Sequence, residues 1–333
     1  MTPELRYCRE MLPRVSRTFA INIRLLGPSL RDSVSVAYLL CRAADTLEDS
    51  WPGEGLEARF EQFAAALDGD EAAARLLAGS AAARASGAAD LEMVAHLPQV
   101  LRAYRQLPPR AGAALSECVH TLSSGMRRYA VRAAERGRDI PYVDDELELE
   151  DYCWVVAGCV GVMLTKLYGD AYGLADTSAQ AFRLELAPVV GRALQLTNIL
   201  LDWPSDIRRG RCYLPATWLE ECGVRPAELV DRECGASRVL ARRLEAKALE
   251  SLSCVPDYVD AVPVRHLRYR LFCLWPALWA LGSLRHARLD PQFPWGPRRP
   301  KLPRAELWRT SLASLFTAGH GAQLRRQCAA AAR

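Results

Sequence analysis

Apolar residues recur along most of the chain at positions i, i+3, i+4 and i+7, the spacing of a helix that buries one face. No run alternates apolar and polar residues around an Asn-Gly or Asp-Gly turn, as β-hairpins do. The pattern therefore predicts an all-α fold. We expect helices over residues 34–47, 56–67, 91–107, 111–134, 146–168, 179–202, 236–254 and 264–284, with a last helix near 305–316.

Proline and glycine separate these segments, as helix breakers do, at Pro28, Pro52-Gly53, Pro108-Pro109, Gly137, Gly173 and Pro263. Residues 68–90 are rich in Ala and Gly, so we expect a helix there with a loose surface connection. Residues 291–303 are proline-rich and predict a loop. Because no composition shift marks a boundary, we predict one domain over residues 1–333, with its core at about 12–310.

Composition places the chain among globular proteins, since 50% of its 333 residues are apolar and 25% are charged. A net charge of +4 is too small to indicate a nucleic acid partner, and we expect none. The 11 cysteines are scattered without a CxxC pair, which favours a reducing compartment. The first residues lack the apolar core of a secretory signal, so we predict a cytoplasmic protein.

Two pairs of aspartates stand out. Asp45 and Asp49 are four residues apart, as are Asp202 and Asp206, so helical geometry places each pair on one face. A solvated acidic surface explains one such pair well, but both pairs follow strongly apolar segments, where unpartnered carboxylates are costly. Carboxylate oxygens suit Mg²⁺, which completes its shell with water and substrate phosphates. We expect Pro204 to end or kink the second helix after Asp202.

Five segments in order resemble the squalene/phytoene synthase family. They are residues 16–19 (SRTF), 38–49 (YLLCRAADTLED), 152–161 (YCWVVAGCVG), 195–202 (QLTNILLD) and 210–215 (GRCYLP). Residues 272–276 (FCLWP) and 301–304 (KLPR) resemble late motifs of the squalene synthase branch. The likeness covers most of the chain, and five concordant motifs are specific where one would be weak.

This resemblance implies an isoprenoid synthase fold in which the two acidic motifs face each other at the mouth of a central helix-lined cavity. It also implies a Mg²⁺-dependent prenyltransferase. Two farnesyl diphosphates would condense head to head to presqualene diphosphate, and on to squalene or a related C30 hydrocarbon. Geranylgeranyl diphosphate is the alternative donor.

The resemblance also assigns roles to individual residues. The metal-binding group is Asp45, Glu48, Asp49, Asn198, Asp202 and Asp206. The substrate-binding group is Ser16, Arg17, Phe19, Tyr38, Arg42, Gln195, Asn198, Arg211 and Phe272. Tyr152 matches the catalytic tyrosine and acts with the four aspartates. Apart from the resemblance, a cation needs a dry pocket with aromatic faces, for which Trp275 and Trp279 are further candidates. The ordinary alternatives are a salt bridge for each arginine and a core position for each aromatic residue.

Three positions depart from the family pattern. Leu201 stands where an arginine commonly precedes the second acidic motif, Ser205 stands where the motif commonly carries glutamate, and Ala277 replaces a frequent glutamine. These changes remove a phosphate donor and a metal or neighbouring oxygen. NADPH as a second cofactor is therefore uncertain, and the sequence has no GxGxxG motif that would support it.

Other interpretations remain. One is a terpene cyclase or prenyl transfer to a non-prenyl acceptor; another is a non-catalytic helical partner in an isoprenoid complex. Because the product would be a lipid, peripheral membrane association is compatible with the sequence, through residues 271–284 or the basic loop at Arg298, Arg299 and Lys301. A core helix and a solvated loop are the simpler interpretation of these segments, because the first is too short to span a bilayer and contains Pro276. The sequence does not predict an oligomeric state.

Overall fold

The computed structural model describes residues 1–49, 51, 55–137 and 139–333. These residues form helices joined by turns, and no β-strand occurs among them, which confirms the all-α prediction. The predicted helix breaker Pro52-Gly53 lies outside the described residues. Within them, Pro28 and Pro109 each begin a helix, and Gly137 and Gly173 each follow one.

The α-helices, in chain order, are α1 (Pro3–Val15), α2 (Arg17–Ile23), α3 (Pro28–Asp49), α4 (Leu56–Leu67), α5 (Glu71–Ala82), α6 (Ala89–Ala95), α7 (Leu97–Arg105), α8 (Pro109–Arg136), α9 (Glu146–Cys153), α10 (Cys159–Ala171), α11 (Ser178–Arg208), α12 (Ala216–Cys222), α13 (Gly235–Leu252), α14 (Val255–Asp260), α15 (Leu267–Leu289), α16 (Arg304–Thr317) and α17 (Gly321–Ala332). A π-helical turn, Trp154–Gly158, joins α9 to α10, and 3₁₀ turns cover Pro226–Leu229 and Val264–His266.

The chain divides into two compact units. Unit 1 comprises Met1–Val131 and Val162–Gln180, and unit 2 comprises Arg132–Gly161 and Ala181–Arg333. In unit 1, α3 packs against α1, α4, α6 and α7. In unit 2, α15 packs against α13, α14, α16 and α17. The expectation of one domain over the whole chain stays a prediction.

Helix α15 contains the most apolar run of the sequence, residues 271–284, and the structure confirms that this run is a core segment. Leu271, Leu274, Leu278 and Leu281 are all buried. Two other continuous helical segments, Glu146–Ala171 and Ser178–Arg208, are long and apolar enough to pass a simple length-and-composition test for a membrane span. In each, about half of the 18-residue stretch that passes is buried inside the protein (56% and 50%), and core helices pass the same test.

Helix boundaries differ from the expectations in two instructive places. The segment predicted over 91–107 is two helices that meet at His96, just before Pro98. The expected end of the helix after Asp202 is wrong, because α11 continues through Pro204 to Arg208; the expected kink stays a prediction. Ser205 Oγ donates to the carbonyl of Asp202 at 2.8 Å, and Arg208 donates to that of Pro204 at 3.0 Å. These bonds and the buried side chain of Trp203 stabilise a turn in which proline supplies no backbone donor.

Glycine allows α11 to approach the π-helical turn and the start of α10 closely. A Cβ added at Gly191 would lie 2.3 Å from the carbonyl oxygen of Ala157, and one at Gly161 would lie 2.4 Å from that of Ala187. No side chain fits at such distances. Gly161 and Gly191 therefore serve close helix packing, and Gly158 lies at the same contact, since the added Cβ at Gly191 would also lie 2.8 Å from its Cα.

Candidate active site

The first acidic motif lies at the C-terminal end of α3. Asp45 and Asp49 share one face, and Asp49 is the last residue of the helix. Carboxylates at this end are unfavourable because the helix dipole is negative there. The end is fixed by Arg59 of α4, a buried side chain that donates to the carbonyls of Leu47 (3.4 Å) and Trp51 (3.1 Å). The protein thus stabilises a helix end that carries unfavourable charge.

Asp45 carries the clearest sign of unbalanced charge. Its pKa is raised to about 7, first by desolvation; Arg42 opposes the rise, and Asp49 and Asp90 add to it. The side chain nevertheless keeps 38% of its surface accessible, so the carboxyl lies in a recess that is open to a ligand. Arg42 is 3.8 Å from Asp45 and is held mainly by Asp90, in a two-pronged bond of 3.0 and 3.2 Å. A cation bound here would relieve the repulsion.

Three of the predicted substrate-binding residues come together in unit 1. Ser16 caps α2 by accepting from the backbone N–H of Phe19 at 3.3 Å. The rings of Phe19 and Tyr38 lie 5.5 Å apart, and a hydrogen bond to Ser16 partly offsets the desolvation that raises the pKa of Tyr38. Phe19 is 44% exposed, so the group forms an aromatic surface rather than core. Arg17, at the start of α2, is exposed.

The second acidic motif lies on α11 in unit 2. Because the helix continues past Pro204, Asp202 and Asp206 keep the one-turn spacing of the first motif. Gln195 and Asn198 fall on the same face, seven and four residues before Asp202. Both motifs therefore consist of aspartates one turn apart at the end of a long helix.

A residue that sequence reasoning did not assign to the site completes this motif. Arg299, in the proline-rich loop, places its Nη1 2.9 Å from Oδ1 of Asp202. Leu201 is buried, whereas the side chain of Asp202 is partly exposed (29%). The signal in the sequence was indirect: an acidic motif lacking its usual arginine, and arginines in a late loop.

The loop that carries Arg299 is anchored on both sides of it. The carbonyl of Trp295 accepts bonds of 3.0 Å from Arg208 of α11 and from the backbone of Asp231. Farther along, Leu302 packs on α15 so closely that a Cβ at Gly282 would lie 2.8 Å from its Cδ1. The position of Arg299 is thus set by tertiary packing, and this loop is not simply a solvated basic segment.

Tyr152 lies in a group of three tyrosines in unit 2. Tyr152 is buried and stacks on Tyr213, with the ring centroids 4.9 Å apart. Tyr142 contacts the ring of Tyr213 edge-on at 4.8 Å. The turn that bears Tyr213 is tied to α11, because the backbone N–H of Arg211 donates to the carbonyl of Asp206 at 2.8 Å. Stacked aromatic faces stabilise positive charge. The structure therefore links the predicted catalytic tyrosine to the helix of the second motif through one short turn.

The remaining aromatic candidates lie in α15. Phe272 is buried and stacks on Tyr269 at 5.8 Å. Trp275 and Trp279 donate their indole N–H groups to serines of α16, at 2.9 and 3.0 Å. Both tryptophans therefore bond to α16, which is the ordinary structural role of an aromatic residue and the alternative to lining a cavity.

The donor set of both motifs fits Mg²⁺. Each motif offers carboxylate oxygens on one face of its own helix, and the raised pKa of Asp45, due first to desolvation, is a rise that a bound cation would oppose. Among the described residues no group of three or more His, Cys, Asp or Glu side chains converges into a preformed metal cage. Mg²⁺ typically uses one or two carboxylates and takes its other ligands from water and substrate phosphates, so this arrangement suits it.

Comparison with known proteins identifies what such a pair of motifs belongs to. Residues 12–306 match the family model of squalene/phytoene synthase. The chain is 30% identical to Botryococcus squalene synthase from Botryococcus braunii over 87% of its length and 59% of that protein's. It is also 30% identical to phytoene synthase from Pseudescherichia vulneris, over 73% of the chain and 71% of that protein.

Solved structures share the fold. A complex of TcSQS with a ligand superposes with a TM-score of 0.78 at 24% identity, covering 99% of this chain and 91% of that one. Squalene synthase HpnC from Alicyclobacillus acidocaldarius gives a TM-score of 0.55 at 21% identity, over 86% of this chain and 95% of that one. The predicted isoprenoid synthase fold is confirmed.

The match is broad on this chain and partial on several relatives. The chain spans 44% of the bifunctional lycopene cyclase/phytoene synthase of Arthroderma gypseum and 46% of the squalene synthase of Eremothecium gossypii, at 29% identity to each. The family model nevertheless covers nearly all of the sequence, including both acidic motifs and the turn at 210–215. The chain belongs to the squalene/phytoene synthase family.

Proposed function

We propose that this protein condenses two prenyl diphosphates head to head, with farnesyl diphosphate as donor and presqualene diphosphate as the first product. The observation that carries the proposal is the pair of matched acidic motifs, each with two aspartates one turn apart and an arginine on the first of them. Family membership supports the reaction class.

In the proposed reaction, one allylic C–O bond breaks and the diphosphate leaves with the electron pair. The double bond of the second substrate attacks the cation, and loss of a proton closes a cyclopropane that keeps the second diphosphate. Bound Mg²⁺ supplies Lewis-acid stabilisation of the leaving diphosphate. Asp45 and Asp49 would hold it at the first motif and Asp202 and Asp206 at the second, and Glu48 and Asn198 are the other proposed oxygen ligands.

Cationic side chains take the remaining charge. Arg42 and Arg299 lie within 3.8 and 2.9 Å of the first aspartate of their motifs, where developing negative charge on a diphosphate is stabilised most. We propose that Arg299 supplies the positive charge that an arginine at position 201 commonly supplies in the family. Arg211, held beside Asp206 by its backbone, and Arg17 are the further proposed phosphate contacts.

The hydrocarbon part of the substrate needs an environment without nucleophiles. We assign Tyr152 the cation-stabilising position, since its ring stacks on Tyr213. Phe19 and Tyr38 offer a second aromatic surface near the first motif, with Ser16 bonded to it. Gln195 shares the face of α11 with the second motif, and Phe272 is the proposed apolar contact from α15.

The test is product analysis. Purified protein is incubated with farnesyl diphosphate and Mg²⁺, with and without NADPH, and hydrocarbon and aqueous fractions are examined by mass spectrometry; geranylgeranyl diphosphate is run in parallel. Presqualene diphosphate or a C30 hydrocarbon is expected. Squalene formed only with NADPH would assign the reductive step to this chain despite Leu201 and Ala277. A cyclic C15 product, or untouched substrate of both lengths, would contradict the proposal.

A further inference from the structure

Helix α16 presents polar residues to the protein and apolar residues to solvent. Ser311 and Ser314 are buried, and their Oγ atoms accept the indole N–H groups of Trp279 at 3.0 Å and Trp275 at 2.9 Å. These two bonds, one turn apart on α15, fix how α16 is rotated about its axis. An ordinary surface helix has the opposite arrangement, with its apolar stripe facing the core.

The outward side forms a continuous apolar stripe, which we call the α16 apolar face: Trp308, Leu312, Leu315 and Phe316. These side chains are 47%, 56%, 43% and 79% exposed. Val264 adds to it at the C-terminal end, because a Cβ at Gly319 would lie 3.8 Å from its Cγ1 and Val264 itself is 55% exposed. Single exposed apolar residues are ordinary, but a contiguous group of this size marks an interaction surface.

Arginines border the face on both sides. A helix turns about 100° per residue, which places Arg304 on one flank of the stripe and Arg309 on the other. Both are exposed, as are Arg265 and Arg268 beside Val264. The acid of the helix, Glu306, is only 15% exposed and is turned inward to Arg285 and His286. The surface therefore has an apolar centre with cationic edges.

We propose that the α16 apolar face docks onto an anionic lipid surface, with the helix lying in the plane of the interface. The apolar side chains would enter the acyl boundary while Arg304 and Arg309 reach the phosphates, as long cationic side chains do. Charge complementarity selects this partner over an uncharged apolar one. With 14 residues, α16 is too short to span a bilayer.

This surface differs from the two segments that the sequence offers for membrane contact. Residues 271–284 are core, and two tryptophans of that segment bond to the inner side of α16. Arg299 of the basic loop is paired with Asp202. The docking proposal goes beyond the proposed reaction and holds whichever prenyl diphosphate is the substrate.

The test is co-sedimentation with vesicles of phosphatidylcholine plus phosphatidylglycerol, and of phosphatidylcholine alone. The variant L312S/F316S removes the centre of the face, and L76S/L147S removes two exposed leucines elsewhere (58% and 76% exposed). Each apolar side chain buried in lipid strengthens binding by about tenfold or more. We expect L312S/F316S to lose at least about tenfold in partitioning to the anionic vesicles and the control to match the wild type.

The charge arm uses R304Q/R309Q. It is expected to bind anionic vesicles several-fold more weakly, with a smaller response to salt, and to be unchanged on phosphatidylcholine alone. Wild-type protein that ignores anionic vesicles, or an L312S/F316S variant that binds like the wild type, would overturn the proposal. Sedimentation velocity tests whether a second copy of this chain occupies the face. A dimer that only L312S/F316S dissociates would assign the face to that copy and overturn the proposal.

Discussion

The two acidic motifs meet the same electrostatic requirement by different routes. In α3, Arg42 lies three residues before Asp45 on the same helix, and Asp90 holds its guanidinium in place. In α11 the residue next to Asp202 is a buried leucine, and the cation comes from Arg299 in a distant loop. A charge supplied from the same helix is fixed by local geometry, whereas one supplied by a loop depends on how that loop packs. The second motif is therefore more easily altered without touching its own helix.

Removing a carboxylate tests the element that both motifs share. D45N is expected to lower turnover by about 10²- to 10³-fold, the usual cost of losing one preorganised electrostatic contact to a developing anion. The matched control is D176N, an exposed aspartate of unit 1. Steady-state kinetics with farnesyl diphosphate and Mg²⁺ measure both. Full activity in D45N would remove the first motif from the reaction.

G191A tests the close packing of α11, the helix that carries the second motif, against Ala157. A Cβ would lie 2.3 Å from the carbonyl oxygen of Ala157, which belongs to backbone and cannot rotate away. We expect the free energy of unfolding to fall by about 3 kcal/mol, at the upper end of the usual cost of overpacking. G112A, where the added Cβ meets nothing within 4 Å, is the control. It should be neutral or slightly stabilising in denaturant titrations, and equal stability of the two variants would refute the close approach.

R59M tests the hydrogen bonds that hold the C-terminal end of α3, which carries the first motif. Loss of the bonds to Leu47 and Trp51 leaves carbonyls at the end of α3 without that donor, and we expect a loss of about 2 kcal/mol in unfolding free energy. Arg84 lies over the same Trp51 ring without reaching those carbonyls, so R84M is the control and should stay within about 0.5 kcal/mol. If both variants lose the same stability, stacking on Trp51 and not the carbonyl bonds is the source.

The smallest effect is expected for the loop. R299Q should raise KM for the prenyl diphosphate about tenfold, since one charge-assisted contact is lost while the carboxylates remain. Arg298 is the adjacent exposed arginine of the same loop, and R298Q should leave KM unchanged. Equal effects of the two substitutions would mean that the loop contributes only general positive charge.

The sequence predicted those parts of the molecule that depend on local pattern. Helix α4 has the expected bounds, and the long helices carrying both acidic motifs lie where apolar periodicity placed them. Helices α2, α12 and α14 were not expected because they have only six or seven residues, and α17 was not expected because it buries only Leu324 and Cys328. Helix α1 was also missed, although it has 13 residues. Continuation of α11 through Pro204 was not predictable from local rules, since packing of Trp203 and bonds from Ser205 and Arg208 override the missing donor.

Contacts between distant segments escaped the sequence altogether. The pairing of Arg299 with Asp202 and the capping of α3 by Arg59 join residues that share no periodic pattern. The orientation of α16 is a sharper case. Periodicity alone would turn Trp308 and Leu312 inward, yet the buried Trp275 and the half-buried Trp279 of α15 need acceptors for their N–H groups and find them in Ser314 and Ser311. The need of these indole N–H groups for hydrogen-bond acceptors thus determines which face of α16 is exposed.

The most direct test of the difference between the motifs is calorimetric binding of inorganic pyrophosphate in the presence and absence of Mg²⁺, for the wild type, R299Q and R298Q. The account predicts Mg²⁺-dependent binding that R299Q weakens about tenfold and R298Q leaves intact. Pyrophosphate binding of equal strength in all three proteins would contradict the assignment of Arg299 to the second motif, and failure of the wild type to bind pyrophosphate with Mg²⁺ would contradict the assignment of both.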